Sequence, residues 1–171
     1  MRKFLILVLP LLFCLSPSFT AAAEIERIAL HQREAVQVEH QRRGGNARTQ
    51  AQVQGWIVRV PQLFIYLSDY SAAFHMDGIR SGFERQLNWV IDRSRTERSM
   101  IRLDRLLERL TTEDGEEFSL ESLPRADVYI LLYRRAECET CDELDGMISA
   151  WLDTRPGLRA VRLDIAMDRI L

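Results

Sequence analysis

The chain has 171 residues, 47% of them hydrophobic, which allows one ordinary domain or a small domain with a helical extension. Its 25 acidic residues outnumber its 23 basic ones, and this balance argues against nucleic acid as a partner. The three histidines, His31, His40 and His75, have no paired spacing. Because a zinc site needs more ligands than one cysteine pair supplies, we expect neither a metal nor a cofactor.

Residues 1–23 have the features of a secretory signal peptide. Arg2 and Lys3 precede an apolar stretch from Phe4 to Leu15, which is too short to span a bilayer comfortably. Ala21-Ala22-Ala23 then offers a small-residue cleavage site. The alternative is an uncleaved N-terminal anchor. We therefore predict an exported, periplasmic protein that associates with a membrane only if this segment is retained.

Residues 24–111 are predicted to be mostly helical. Apolar residues recur at helical spacing between Glu24 and Arg43, and a denser apolar stretch runs from Leu63 to Phe74 after a weaker one that ends at Pro61. A longer pattern from Phe83 to Leu110 is charged all round in its middle, so this helix either breaks there or projects into solvent. These stripes are interpreted as core, with partner binding as the alternative.

Residues 112–171 are predicted to form a separate β-α-β unit, which makes the fold α/β or α+β. The acidic run Glu113 to Glu117 is interpreted as a solvated linker. Val128 to Tyr133 has the composition of a strand, and Leu158 to Ile165 alternates as a second one. Between them, apolar residues recur at helical spacing until Pro156-Gly157: Leu144, Ile148, Trp151 and Leu152.

The motif Cys138-Glu139-Thr140-Cys141 lies between the first of these strands and the helix. A right-handed crossover places Cys138 in the loop before the helix and Cys141 in its first turn. The free N–H groups and the positive dipole end of a helix N-terminus stabilise a thiolate, which is the form that attacks a disulfide. Cys138 is therefore the candidate nucleophile, and Cys141 is the candidate resolving thiol.

The order strand, CxxC, helix, strand resembles the core of the thioredoxin superfamily. The approach from Asp114 to Leu123 is similar to the lead-in of membrane-anchored and periplasmic thioredoxin-like reductases. The resemblance implies catalytic roles for Cys138 and Cys141 and protein thiols or disulfides as partners. In the family, a cis-proline facing the CxxC opens a terminal hairpin that binds the substrate peptide. No such segment follows the motif before Leu171, so we expect a truncated unit or one completed by other elements.

The charges around the motif bear on the direction of its chemistry. Four acidic side chains crowd the sulfurs and disfavour the thiolate: Glu137, Glu139, Asp142 and Glu143. Arg134 and Arg135 compensate in part, although neighbours on a strand point to opposite faces. A less stabilised thiolate gives a less oxidising couple, which favours a reductase or isomerase-like role. The alternative is an exported envelope accessory or assembly protein in which the disulfide is only structural.

Two strands and one helix leave an apolar sheet face and a strand edge uncovered. Leu131, Tyr133, Val161 and Leu163 would lie on that face. We therefore predict that the apolar stripe of residues 83–110, or that of residues 53–74, packs on this sheet. The segment from Phe118 to Leu120 could add a short strand.

Overall fold

The computed structural model describes residues 22–32, 60–97 and 100–167. The strands in these ranges are β1 (Glu24–Gln32), β2 (Gln62–Leu67), β3 (Ala72–Asp77), β4 (Leu110–Thr111), β5 (Val128–Arg134) and β6 (Arg159–Ala166). The helices are α1 (Phe83–Asp92), α2 (Leu103–Leu107) and α3 (Glu139–Asp153), with a 3₁₀ turn at Leu120–Ser122. All the strands belong to one six-stranded sheet in the order β3-β2-β5-β6-β1-β4.

The C-terminal unit has the elements that its sequence pattern predicts. β5 and β6 are parallel, with Leu131 opposite Leu163, and α3 forms the crossover between them. α3 ends at Asp153, shortly before Pro156-Gly157, and Gly157 takes a φ of 81°. That left-handed conformation suits glycine and turns the chain back toward β6.

The prediction of a polar helix from residue 24 is wrong, because Glu24–Gln32 is strand β1. β1 lies parallel to β6 along its length, and its last two residues, His31 and Gln32, also pair with β4 on the other edge. This pairing outweighs a helical spacing that rested on few apolar residues. The predicted helical patterns over residues 33–59 lie outside the described residues, and so do the first 21 residues of the predicted signal segment, residues 1–23.

The prediction of a helix from Leu63 to Phe74 is also wrong, since this stretch forms the antiparallel hairpin β2–β3. Every residue of β2 is buried, because β2 lies between β3 and β5 and both faces of the sheet are covered. A strand buried on two faces is a continuous apolar run, which periodicity cannot distinguish from a buried helix. The described residues between 24 and 111 therefore supply β1 to β4 and are not mostly helical.

The long pattern of residues 83–110 breaks at its charged middle. α1 ends at Asp92, Ser94 has a positive φ of 47°, and α2 begins only at Leu103. The exposed, charged residues that follow α1 offer no apolar stripe with which a continuous helix could pack. Leu110 belongs to β4 and not to a helix.

Helices cover both faces of the sheet. α1 and α3 pack on one face, and Trp151 Nε1 of α3 donates to Asn88 Oδ1 of α1 at 2.8 Å. α2 packs on the other face, where Leu103, Leu106 and Leu107 join a cluster with Leu131, Tyr133, Val161 and Leu163. The stripe of residues 83–110 thus covers the strands of the C-terminal unit, as the sequence predicts. Among the described residues, no helix is long and apolar enough to cross a membrane.

The segment between β4 and β5 turns over the α2 side of the sheet. The acidic run from Glu113 to Glu117 is exposed, as expected for a solvated stretch. Phe118 is buried in the α2-side cluster, but it is not part of a strand, because pairing here is limited to one bridge between Thr111 and Glu117. The suggested strand at Phe118 to Leu120 is therefore replaced by a bridge and a 3₁₀ turn.

Candidate functional site

The CxxC lies at the end of the sheet where β5 ends and β2 begins. Gln62, the first residue of β2, is opposite Tyr133 near the end of β5, and Tyr133 is in turn opposite Ile165 of β6. A cis peptide joins Val60 to Pro61 immediately before β2. The start of the β2–β3 hairpin and the loop that carries Cys138 are therefore neighbours at one sheet end.

Cys138 and Cys141 form a disulfide at the start of α3, with their Cα atoms 5.2 Å apart. Cys138 is the N-cap residue of α3, with extended backbone angles of φ −110° and ψ 91°. Its Sγ accepts a hydrogen bond from Cys141 N–H at 3.2 Å, and its carbonyl oxygen accepts one from Asp142 N–H at 3.1 Å. The Cys141 N–H also donates to the Cys138 carbonyl oxygen at 2.9 Å, so this first-turn donor is shared between the sulfur and the carbonyl oxygen of the N-cap residue.

The two cysteines differ in their access to solvent. Cys141 is 0% exposed and belongs to the buried face of α3. Cys138 is only half-buried, and the residues on either side of it, Glu137 and Glu139, are exposed. Glu137 has a φ of 53°, so the chain turns sharply before the N-cap in a conformation that is costly for a side chain other than glycine. Cys138 as a residue is therefore more accessible to a reagent or a partner thiol than Cys141.

Arg134 provides the positive charge next to the motif. Its guanidinium lies 2.6 Å from Asp142 Oδ1 and 3.8 Å from Asp145 Oδ2. Arg135 follows the strand and is exposed. Of the four acidic residues that the sequence places around the sulfurs, Asp142 is the one that Arg134 contacts. The local charge is therefore less negative than a count of carboxylates suggests.

A buried cation under α3 was not predicted. Arg162 of β6 is 0% exposed, and it donates to Asp164 Oδ1 at 2.6 Å and to Ser149 Oγ at 3.5 Å. It also forms an ion pair with Asp145 Oδ1, without the geometry of a hydrogen bond. The sequence signal that could have revealed it is the alternation along β6. Ala160, Arg162 and Asp164 are alternate residues and lie on the face of β6 that α3 covers.

The histidines do not join the motif. His75 of β3 stacks on Phe64 with ring centroids 4.3 Å apart and lies 3.2 Å from Gln62 Oε1. The pKa of His75 is lowered, chiefly because the ring is partly buried. The charge of Asp77 raises this pKa and the charge of Arg80 lowers it. His40 lies outside the described residues, and within the described ranges no three His, Cys, Asp or Glu side chains could hold a metal ion.

A groove of about 860 Å³ lies between β3, α1 and the segment that leads into α2. Phe64, Phe74 and Trp89 contribute aromatic walls, and Arg80, Arg102 and Arg105 contribute charge. Neither cysteine lines this groove. It contains no pair of groups placed for nucleophilic chemistry, so the CxxC remains the candidate site among the described residues.

The arrangement at the start of α3 can support one type of chemistry. An accessible sulfur at a helix N-terminus, bonded to an inaccessible sulfur one turn later, can exchange with an external thiol and then close again. The residues around Cys138, namely Glu137, Glu139 and Thr140, are exposed. The chain matches no protein-family model, no curated protein and no solved structure.

Proposed function

We propose that the protein is an exported, thioredoxin-like thiol–disulfide protein that works in the reductase or isomerase direction on protein thiols or disulfides. The observation that carries the proposal is the unequal access of the two sulfurs at the start of α3. Cys138 is half-buried and capped by a backbone donor, whereas Cys141 is fully buried. This difference fits the division of roles between an attacking thiol and a resolving thiol.

The position of the β2–β3 hairpin supports the same proposal. The family resemblance calls for a hairpin that starts with a proline beside the CxxC, whereas the described residues after the motif, up to residue 167, form α3 and β6. Here β2–β3 lies directly beside β5, antiparallel to it, and starts after Pro61 at the sheet end that carries the CxxC. In this proposal, the upstream hairpin β2–β3 takes the place of the family's terminal hairpin. The complete thioredoxin-like unit would then have its hairpin before the CxxC unit in the chain, whereas the family has it after.

The proposed reaction is a sequence of two exchanges. In the reduced protein, the Cys138 thiolate attacks one sulfur of a substrate disulfide, forms a mixed disulfide and releases the other substrate sulfur as a thiolate that takes up a proton. Cys141 then loses its proton and attacks Cys138 Sγ, which closes the internal disulfide and releases the second substrate thiol. The substrate gains two electrons and the CxxC loses two. A thiol reductant of the exported compartment restores the dithiol.

The charges favour reduction over oxidation of substrates. Glu137, Glu139 and Glu143 are exposed around the motif and oppose the thiolate that the helix N-terminus stabilises. Less stabilisation of the thiolate means less stabilisation of the reduced form, and the couple becomes a better electron donor. The predicted signal segment fits this role, because exported compartments are where protein disulfides form and need correction.

The test uses the chain from residue 24 onward, which lacks Cys14, with C138S and C141S as matched variants. We expect the reduced protein to be alkylated at Cys138 well before Cys141, and to reduce the disulfides of insulin in a turnover assay with a thiol reductant. C138S should lose all turnover, whereas C141S should accumulate a mixed disulfide with the substrate.

Two outcomes would contradict the proposal. Preferential alkylation of Cys141 would reverse the roles of the cysteines. No turnover above that of C138S would favour the alternative, an envelope accessory protein with a static disulfide. That alternative also predicts that neither C138S nor C141S accumulates a mixed disulfide with the substrate.

A further inference from the structure

We propose that Arg134 is a positioning residue of the Cys138–Cys141 couple. Arg134 makes this couple more oxidising than it would be with its acidic neighbours alone. Its guanidinium neutralises Asp142 and holds the first turn of α3 against the end of β5. The inference rests on the proposed function, since it concerns the same pair of sulfurs. It concerns the equilibrium of that pair, however, and can be measured without any protein substrate.

The side chain of Arg134 reaches α3 because of the alternation along β5. Tyr129, Leu131 and Tyr133 belong to the cluster on the α2 side of the sheet, whereas Val128, Ile130 and Leu132 belong to the cluster under α1 and α3. Successive residues of a strand point to opposite faces, so Arg134 continues the α3 side and Arg135 does not. The side chain of Arg134 is 32% exposed, which leaves it partly shielded from water beside the helix.

Arg134 is the third member of a row of alternating charges. Arg162, fully buried, pairs with Asp145, Asp145 lies 3.8 Å from Arg134, and Arg134 lies 2.6 Å from Asp142. The row runs from beneath the middle of α3 to the residue that follows Cys141. Arg162 holds Asp145 from the sheet, so Asp145 cannot move freely. Arg134 therefore has a fixed partner, which the cation of an isolated surface ion pair does not have.

Asp142 connects this row to the sulfurs. Its N–H donates to the Cys138 carbonyl oxygen at 3.1 Å, and the preceding N–H, that of Cys141, donates to Cys138 Sγ at 3.2 Å. An uncompensated carboxylate at this position would oppose a thiolate on Cys138. The side chain of Asp142 is 65% exposed, so solvent screens its effect and the expected change is modest.

The sign of the effect follows from the reaction with glutathione. Two glutathione molecules reduce the Cys138–Cys141 disulfide to a dithiol and become glutathione disulfide, so two electrons and two protons pass to the protein. A negative charge near Cys138 disfavours the fraction of dithiol that exists as thiolate, and it therefore disfavours the reduced state. Loss of Arg134 should shift the equilibrium toward the protein disulfide, and loss of the Asp142 charge should shift it toward the dithiol.

The experiment measures this equilibrium by quenching and counting free thiols in glutathione redox buffers of low ionic strength, at a constant pH of about 9, where an ordinary thiol with a pKa of about 8.5 is largely thiolate. We expect R134Q to lower the equilibrium constant for reduction about threefold, as for a surface ion-pair charge, and D142N to raise it by a similar factor. The double variant R134Q/D142N should return close to the wild-type value. R135Q is the matched control, one residue further along and exposed, and should change the constant less than R134Q. R134K, which keeps the charge, should retain most of the wild-type value.

A structural role for Arg134 would give a different pattern. If R134Q and D142N shift the constant in the same direction, or if R134Q equals R135Q, the inference is wrong. If R134Q does not fold, as judged by circular dichroism, D142N and R134K still decide by the sign and size of their shifts. A disulfide that glutathione cannot reduce in the native protein would overturn this inference and the proposed function together. Reduction without turnover of insulin would overturn the proposed function alone.

Discussion

At the scale of single residues, the two cysteines show how position in a helix separates two identical side chains. Cys138 precedes the first helical residue, and the N–H of Cys141 is shared between the sulfur and the carbonyl oxygen of Cys138. Cys141 lies one turn later on the face that packs against the sheet, and it is fully buried. The same four-residue spacing that permits the disulfide therefore also produces an accessible sulfur and a protected one.

His75 provides a pH-dependent contribution to stability. Burial holds its pKa below the usual 6.5, so the unfolded chain binds this proton more readily than the folded one as the pH falls through that range. Stability from this residue is therefore present above about pH 6.5 and is lost as the pH decreases. We expect the unfolding free energy of the wild-type protein to fall more steeply between pH 7 and pH 5 than that of H75Q, as measured by urea titration. NMR titration of the His75 ring gives the shift directly, and parallel pH profiles of the two proteins would contradict the prediction.

At the scale of elements, the contact between α3 and β6 includes a buried charge cluster as well as apolar packing. Arg162 is enclosed by Asp145, Asp164 and Ser149. Removal of one partner from a buried ion pair leaves the other charge without compensation, which costs more than the pair itself contributes. The side chains of Asp145 and Asp164 are 27% and 22% exposed, so water lowers part of the free-energy cost of leaving their charges unpaired.

R162M tests this cluster, with R159M as a matched control on the same strand. Arg159 also pairs with an aspartate, Asp127, at 2.9 Å, but its side chain is 57% exposed. We expect R162M to lower the unfolding free energy by about 3 kcal/mol and R159M by less than about 1 kcal/mol. Adding D145N and D164N to R162M should recover part of the loss, because the two carboxylates are then replaced by neutral amides. Equal losses for R162M and R159M in urea unfolding would contradict the prediction.

The elements that the sequence predicts correctly are those whose pattern agrees with their tertiary setting. β5 is rich in β-branched and aromatic residues, and α3 combines helical spacing with a Pro-Gly stop, so local and global signals coincide. β1 and β2 are different. β1 is polar along much of its length and is held mainly by backbone pairing with β6, and β2 is apolar on both faces. Neither shows the alternation by which a half-buried strand is recognised.

The candidate site follows the same division. Cys138 and Cys141 could be found because their spacing and their place between a strand and a helix carry the information locally. The contacts of Arg134 with Asp142 and Asp145 depend on which face of β5 meets α3, and the position of Pro61 depends on a strand pairing between distant parts of the chain. Such long-range relations are not encoded in spacing, so the sequence could not place the hairpin beside the motif.

At the scale of the whole molecule, the sheet is continuous between the part before residue 112 and the part after it. β5 and β6 lie in the middle of the sheet, with β2 on one side and β1 on the other. The α2-side cluster likewise combines Leu30, Leu103 and Leu107 with Leu131 and Leu163. The strands that carry the CxxC therefore depend on upstream residues for their neighbours in the sheet and for the cover of one face.

Deletion of residues 24–110 should make the C-terminal unit unable to fold by itself. β5 would lose its partner β2 and β6 would lose β1, which leaves two unpaired strand edges, and Leu131, Tyr133, Val161 and Leu163 would lose the cover of α2. We expect the remaining fragment to aggregate, and the amide hydrogens of both strands to lose the exchange protection that they have in the intact protein. Addition of a separately produced fragment of residues 24–110 is the control, because it should restore solubility and protection if pairing is what is missing. A soluble, protected fragment from residue 112 onward would show that the β-α-β unit is self-sufficient, and would indicate instead that the upstream strands exist to bind a separate partner.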